Sequence, residues 1–298
     1  MLSASSAGRG EPCERVAVSH VAAAPGPDGL QRDVALAVSA YDAFAPFYDF
    51  LTKDADYEWW WSALLPLVEA AGVPGRRVLD VACGTGKSLE PLLAAGWSGV
   101  GVDASSGMLE LARAKLGRGV PLLEHDMREL PVLGEFDLIC ALNDPISYLL
   151  DEQELVDTFR GFRRNLAPGG VVIFDVNTVG MFRDYEALVQ QEPGRVLLVE
   201  ANGHPDFEEG AIMRVDFTVL EQRTGFYWSR RSSPHFQRHQ PDADLRRALD
   251  AAGLEVFGAY GQTNKTIADT VDELNDERAV YLARVPYAGV PTNGGEPR

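Results

Sequence analysis

The stretch Val78-Leu79-Asp80-Val81-Ala82-Cys83-Gly84-Thr85-Gly86-Lys87-Ser88 decides the fold. Residues 77–82 form a short apolar run broken by one acid, the pattern of a strand buried on both faces. Glycines follow at 84 and 86, and residues 88–95 then read as a helix. A strand that passes through a glycine turn into a helix start brings backbone N–H groups close to a ligand at the carboxyl edge of a sheet. Two phosphate loops compete for this pattern. A nucleotide P-loop, G-x-x-x-x-G-K-[ST], matches at Gly86, Lys87 and Ser88, but its first glycine falls on Val81. A dinucleotide loop, G-x-G-x-x-G/A, needs a small residue where Leu89 stands.

Outward from this loop the rhythm repeats. Helices are predicted over 57–71, 106–116 and 152–166, the last closed by Pro168-Gly169-Gly170. Strands are predicted over 99–102, 121–125, 136–142 and 171–176. From about 195 to 239 the pattern changes to β-type runs, V-L-L-V-E, I-M-R-V-D-F-T-V-L-E and F-Y-W-S-R-R, with the turn Arg223-Thr224-Gly225 between two of them. A helix over 243–252 and strands over 254–260 and 279–285 restore the first rhythm. Short apolar runs alternating with helices imply a parallel sheet covered on both faces. The expected fold is α/β: a doubly wound, mostly parallel, seven-stranded Rossmann-like sheet with an antiparallel β insertion as a lid. The sheet domain spans 39–180 and 241–286 and the insertion 181–240. The ends, 1–38 and 287–298, are rich in Ala, Ser, Gly and Pro and read as disordered tails.

Composition narrows the classes of function. A chain of 298 residues buries roughly 70–75% of the surface its unfolded form exposes, so neither a metal nor a disulfide is needed to hold it. Cys13, Cys83 and Cys140 are widely spaced, with no C-x-x-C or Cys/His cluster. No metal site is expected, and a reducing, cytoplasmic setting fits. No stretch approaches the ~20 apolar residues of a membrane span, and the N-terminus lacks the pattern of a secretory signal. The chain carries 27 Lys+Arg against 44 Asp+Glu, a net charge of -17. Nucleic acids and anionic membranes select clustered positive charge, so neither is an expected partner. A small-molecule partner, and a monomer or homodimer, are expected.

The acids at the strand ends indicate a different ligand. Asp103 closes Val100-Gly101-Val102-Asp103, and a carboxylate at the end of the second strand accepts two ribose hydroxyls side by side. Asp126, in His125-Asp126-Met127 after the third strand, is placed to accept from an adenine amino group while Met127 covers the ring. S-adenosyl-L-methionine carries adenosine without a phosphate, so a two-glycine loop suffices for it. The ordered set D-V-A-C-G-T-G, V-D-A-S-S-G-M-L, H-D-M-R-E-L and L-A-P-G-G-V-V-I-F-D-V-N resembles the successive motifs of class I S-adenosylmethionine-dependent methyltransferases, over about residues 40–285. The opening Y-D-A-F-A-P-F-Y-D-F, the β-rich insertion and H-F-Q-R resemble the small-molecule branch, with its aminosugar and glycine N-methyltransferases. The resemblance implies that Ala82, Gly84 and Gly86 line the methionyl moiety and that Asp80 orients the loop. It further implies Asp103 and Met108 on the ribose side, Asp126 and Met127 at adenine, Leu142 beside the sulfonium, and Tyr41 or Tyr48 over the methionine end. Lys87 stands where many relatives have a third glycine.

Candidates for the acceptor side are less patterned. Asn143-Asp144-Pro145 follows the fourth strand, where this fold presents groups to substrate. It is similar to the [N/D]-P-P-Y motif of other amine methyltransferases. Ile146 replaces the second proline and Tyr148 lies one residue too far, so that reading is set aside. Asp144 and His235 are the candidate catalytic groups, His235 because its ordinary pKa lies near neutrality. Tyr57, Asn143, Tyr148 and Arg238 are candidates for holding the acceptor. Strand alternation places His235, Gln237 and His239 on one face, and Phe236 and Arg238 on the other. Oxygen and nitrogen acceptors both remain open at this stage. The charge yields one expected outcome: gel-shift assays at physiological salt show no micromolar binding to generic DNA or RNA.

Overall fold

The computed structural model of the protein describes residues 41–286 except 43, 186, 202 and 204. The expected tails, 1–38 and 287–298, lie outside the described residues. Helical residues 44–51 open the described chain, followed by α1 (Tyr57–Ala70), β1 (Arg77–Val81), α2 (Leu89–Ala94), β2 (Ser98–Asp103) and α3 (Ser106–Leu116). Next come β3 (Leu122–Glu124), β4 (Phe136–Ala141), α4 (Glu152–Asn165), β5 (Leu166–Asn177) and the short α5 (Val179–Arg183). Four strands then form a sheet of their own: β6 (Leu188–Glu192), β7 (Arg195–Ala201), β8 (Ile212–Gln222) and β9 (Trp228–Arg238). The chain returns through α6 (Asp242–Ala251), β10 (Glu255–Thr263), β11 (Thr266–Ala268) and β12 (Arg278–Arg284).

The main sheet has the order β11-β10-β12-β5-β4-β1-β2-β3. The run from β5 to β3 is parallel, whereas β12, β10 and β11 join antiparallel. Among the described residues the sheet therefore has eight strands, not seven. The additional strand, β11, spans three residues and pairs only with β10 across a tight turn at Asn264. So short a strand leaves no alternation in the sequence to read. The predicted stop at Pro168-Gly169-Gly170 also differs: β5 begins at Leu166 and carries these residues at its edge, opposite a register shift between Phe136 and Leu138.

Both faces of the sheet are covered, and the caps explain where the helices start. Asp151 caps α4 through the Glu154 N–H, and Glu154 returns a carboxylate to the Leu150 N–H at 2.7 Å. Leu155, Phe159 and Phe162 then recur at helical spacing and bury one face of the sheet with Leu245 and Leu249 of α6. Trp60, Trp61, Leu64 and Val68 of α1 bury the other face with Leu89 and Leu92 of α2. Ser105 caps α3 through the Met108 N–H, which leaves the nearby Asp103 carboxylate free of that task.

The second sheet is antiparallel, in the order β6-β7-β8-β9. Its apolar face, including Leu197, Val199, Val215 and Phe217, packs against Phe44 and Phe47 of the N-terminal helical residues. The first of its strands, β6, was not anticipated. Its sequence L-V-Q-Q-E is mostly exposed at the sheet edge, so no buried periodicity marks it.

Candidate active site

A cavity of about 140 Å³ opens at the carboxyl ends of the parallel strands. Its floor is Ala82 and Gly84 after β1, Asp103 to Ser105 after β2, and His125 to Arg128 after β3. Leu142, Asn143, Pro145, Tyr148, Leu149 and Leu150 follow from β4, Met108 enters from α3, and Tyr41, Tyr48 and Phe236 complete the wall. Of the expected cofactor residues, Tyr41, Tyr48, Ala82, Gly84, Asp103, Met108, Asp126, Met127 and Leu142 thus converge on one cavity, together with Asn143 and Tyr148 from the acceptor side. Asp80, Gly86, Tyr57, Asp144, Arg238 and His235 do not line it.

The loop after β1 turns through left-handed backbone at Ala82 (φ 57°), Gly84 (φ 53°) and Gly86 (φ 81°). The two glycines serve different ends. A Cβ on Gly84 lies 3.7 Å from the Tyr48 ring, so this glycine faces the cavity wall. A Cβ on Gly86 lies 2.7 Å from Leu116 Cδ1, so Gly86 is required for packing against α3 and for its φ, not to leave room for a ligand. Asp80 lies beneath the loop. It is buried, accepts from Ser88 Oγ at 2.5 Å, and burial pushes its carboxyl up to about 7. Lys87, the departure from the family pattern, reaches Thr52 through its carbonyl (2.5 Å) and hydroxyl (3.1 Å). Thr85 donates to Asp49 at 2.6 Å. These bonds tie the loop to the N-terminal helical segment that carries Tyr48.

Two acids face the cavity. Asp103 accepts the Gly84 N–H and the Ser105 N–H, each at 2.8 Å, and so ties the β1 loop to the end of β2. Burial, with the Asp42 carboxylate nearby, pushes Asp103 up to about 6 against those two hydrogen bonds. Asp126 is paired with Arg128 at 2.5 Å, and Arg128 in turn with Glu154 at 2.6 Å. Burial raises Asp126, but the Arg128 guanidinium and N–H outweigh it and hold the carboxyl below its ordinary value.

The end of β4 contains two consecutive left-handed residues, Asn143 (φ 74°) and Asp144 (φ 66°). Non-glycine residues adopt this conformation only where the surroundings determine it. Here the Asp175 carboxylate accepts both N–H groups, at 2.7 and 3.1 Å. Arg278 pairs with Asp175 at 2.5 Å, donates to Asn143 Oδ1 at 3.0 Å and lies on the Trp60 ring. The Asn143 amide, fixed in this way, donates to Tyr48 Oη at 3.1 Å. Tyr57 does not line the cavity; it is buried and packs on Trp60. Asp175 and Arg278 were missed by sequence reasoning. The signal was present: a carboxylate inside the apolar run V-V-I-F-D-V needs a cation, and β12 begins with one.

The other outlying candidates have evident partners. Asp144 is buried and accepts from Ser147 Oγ, the Asn177 N–H and side-chain amide, and Gln237 Nε2, at 2.5 to 3.1 Å. Burial raises its carboxyl to about 7, opposed by the Arg278 charge. Arg238 points toward α6, pairing with Asp244 at 2.6 Å and donating to Gln240 at 2.9 Å. His235 is fully buried, and burial holds its pKa down to about 3. It lies behind Tyr148, whose hydroxyl is 3.3 Å from Nδ1. Phe236, read from the sequence as the opposite face, is the residue of this strand that reaches the cavity.

Comparison with known proteins agrees with this geometry. Residues 78–170 match the family model described as a methyltransferase domain. Over 256 residues the chain is 35% identical to the putative methyltransferase YqeM of Bacillus subtilis, a match covering 82% of this chain and 96% of that one. It is 30% identical to the dTDP-3-amino-3,4,6-trideoxy-alpha-D-glucopyranose N,N-dimethyltransferase of Streptomyces venezuelae, over 72% and 89% of the two chains. Among solved structures, Streptomyces venezuelae DesVI aligns with a TM-score of 0.64 at 26% identity, covering 81% of this chain and 98% of that one. An S-adenosylmethionine-dependent methyltransferase from Clostridium acetobutylicum shares the fold with a TM-score of 0.67 at 24% identity, over 82% and 98%. The chain belongs to the S-adenosylmethionine-dependent methyltransferases, enzymes whose cofactor is S-adenosyl-L-methionine.

The buried clamp yields a stability prediction. Arg278→Met leaves the Asp175 carboxylate without a cation, so urea denaturation should show a loss of about 3–5 kcal/mol. Asp175→Asn combined with Arg278→Met should recover part of that loss, because position 175 then carries no charge in need of a cation.

Proposed function

We propose that this enzyme methylates a nitrogen of a small-molecule amine, of the class that includes amino sugars, in natural-product biosynthesis. The observation that carries the reading is that the two candidate bases are engaged away from the cavity. His235 is buried and neutral, and Asp144 is saturated by four donors. An oxygen acceptor needs a base to take its proton, whereas a neutral amine attacks with its own lone pair. The dTDP-aminosugar N,N-dimethyltransferase among the relatives supports the same class.

The residues around the cavity suit the cofactor. Asp103 offers a carboxylate where ribose hydroxyls require acceptors, and Asp126 with Met127 offers an acceptor and a soft apolar cover for adenine. Ala82 and Gly84 would hold the methionyl moiety, Met108 would stand on the ribose side and Leu142 beside the sulfonium. When bound, S-adenosylmethionine supplies an electrophilic methyl on a sulfonium that is already a good leaving group. The task left to the chain is to orient the acceptor, hold it at attack distance and exclude water, which supplies several kcal/mol. Tyr41, Tyr48, Asn143, Tyr148 and Phe236 form the acceptor end. The second sheet and the N-terminal segment act as the lid, and Tyr57 supports Tyr48 from behind. The charge and cysteine pattern suit a cytoplasmic enzyme.

The test is incubation with isotopically labelled S-adenosylmethionine and a panel of amino sugars and their hydroxyl counterparts, read by mass spectrometry. Label on amines alone is expected; label on hydroxyl counterparts alone would overturn the nitrogen reading. Asp103 provides a second check. Protonation removes its ability to accept from two hydroxyls, and its pKa without cofactor is about 6. Calorimetric affinity for S-adenosylmethionine should therefore be full above that pH and fall as pH drops through it, with the step absent in Asp103→Asn.

A further inference from the structure

A single chain of hydrogen bonds runs from the cavity wall into the buried face of the second sheet. Tyr41 Oη donates to Tyr148 Oη at 2.7 Å. Tyr148 Oη lies 3.3 Å from His235 Nδ1, and Ser233 Oγ lies 3.2 Å from His235 Nε2. Both tyrosines line the cavity, whereas His235 is fully buried. The rings hold the geometry: Tyr41 stands edge-on to His235 at 4.8 Å between centroids, and Phe217 packs on the imidazole at 4.3 Å.

Valence leaves two arrangements of the protons. A neutral imidazole has one N–H and one bare nitrogen. Burial keeps His235 neutral at pH 7. Tyr148 accepts the Tyr41 proton and still has its own to donate. With Nδ1 bare, that proton goes inward to His235, and Nε2–H donates to Ser233. With the proton on Nδ1 instead, Nδ1–H takes the second lone pair of the Tyr148 oxygen, Ser233 Oγ–H donates to the bare Nε2, and the Tyr148 proton turns out toward the cavity. The two arrangements differ in where the Tyr148 proton goes: only the first spends it on a protein acceptor.

We propose that His235 is a positioning residue: by accepting the Tyr148 proton it draws the hydroxyl protons of both tyrosines inward, so that the Tyr41 oxygen offers the cavity only lone pairs. Such an oxygen takes a donor, either an amine N–H or the polarised C–H of a sulfonium methyl, and repels another lone pair. This rests on the reading of the cavity as the site of methyl transfer to an amine. His235 itself takes no proton in the reaction. The nitrogen–carbon bond forms, the carbon–sulfur bond breaks with its electron pair going to sulfur, and the product ammonium loses its proton to water.

Two measurements test this without the natural acceptor. In the ¹⁵N NMR spectrum of the full chain at pH 7, His235, assigned by its loss in His235→Asn, should show a bare Nδ1 and a protonated Nε2. The second is calorimetry with sinefungin, which carries an amine where the cofactor carries its sulfonium methyl, against S-adenosylhomocysteine, which carries neither. The preference for sinefungin should fall about tenfold or more in His235→Leu and in Tyr148→Phe, the scale of one hydrogen bond to a charged group. It should survive in His235→Asn, whose side-chain oxygen takes the place of Nδ1. Tyr148→Phe breaks the chain without touching the buried histidine, so misfolding of His235→Leu leaves the test intact. A proton on Nδ1, or an unchanged preference in Tyr148→Phe, would overturn the proposal. If both measurements agree with expectation and no amine is methylated, the amine reading fails while the orientation of Tyr41 stands.

Discussion

The Asp175 carboxylate is the group on which the acceptor side of the site depends. It lies at the end of a central parallel strand, fully buried, and accepts two consecutive N–H groups of a turn that ordinary residues avoid. A carboxylate in that position is tolerable only with a cation beside it. Arg278 supplies the charge from the antiparallel neighbour β12. One buried pair therefore joins β5, β12 and the end of β4. Through Asn143 it also sets the direction of the Tyr48 hydroxyl. The cavity wall is ordered from behind, by groups that do not themselves face it.

The cofactor side is built by a similar device. The Asp103 carboxylate also accepts two backbone N–H groups, and burial raises its pKa. The loop it holds is tied on its other side to the N-terminal helical segment through Thr85 and Lys87. That segment also packs into the second sheet. Loop, N-terminal segment and second sheet are thus joined by direct contacts.

Much of the fold was legible because most of the parallel strands are short and apolar, and α3 and α4 start at side-chain caps. The buried run of β4 and the spacing of Leu155, Phe159 and Phe162 in α4 leave one interpretation each. The elements not legible are those whose residues carry no burial pattern. β6 lies exposed at a sheet edge, and β11 is three residues long. Ala82, Gly84, Asp103, Asp126, Met127 and Leu142 converged on the cavity because they lie at or just after strand ends, where the local backbone direction fixes which way a residue faces. The acceptor-side candidates from the insertion did not. Alternation along β9 was read correctly for His235 and Gln237 as a pair, but the face that meets the cavity is that of Phe236.

The sequence by itself determined the order of strands and helices, the glycine loop, the acids at the ends of β2 and β3, and so the kind of ligand the sheet edge accepts. Those features are local, set by hydrophobic period and by turn chemistry within a few residues. Only the tertiary structure decided which polar groups are spent on one another. Asp144 is saturated, Arg238 faces α6, Gly86 is a packing glycine, and His235 lies behind Tyr148. All but Arg238, whose partners are two and six residues away, depend on a partner far away in the chain, and hydrogen bonds between distant segments leave no periodic trace in the order of amino acids.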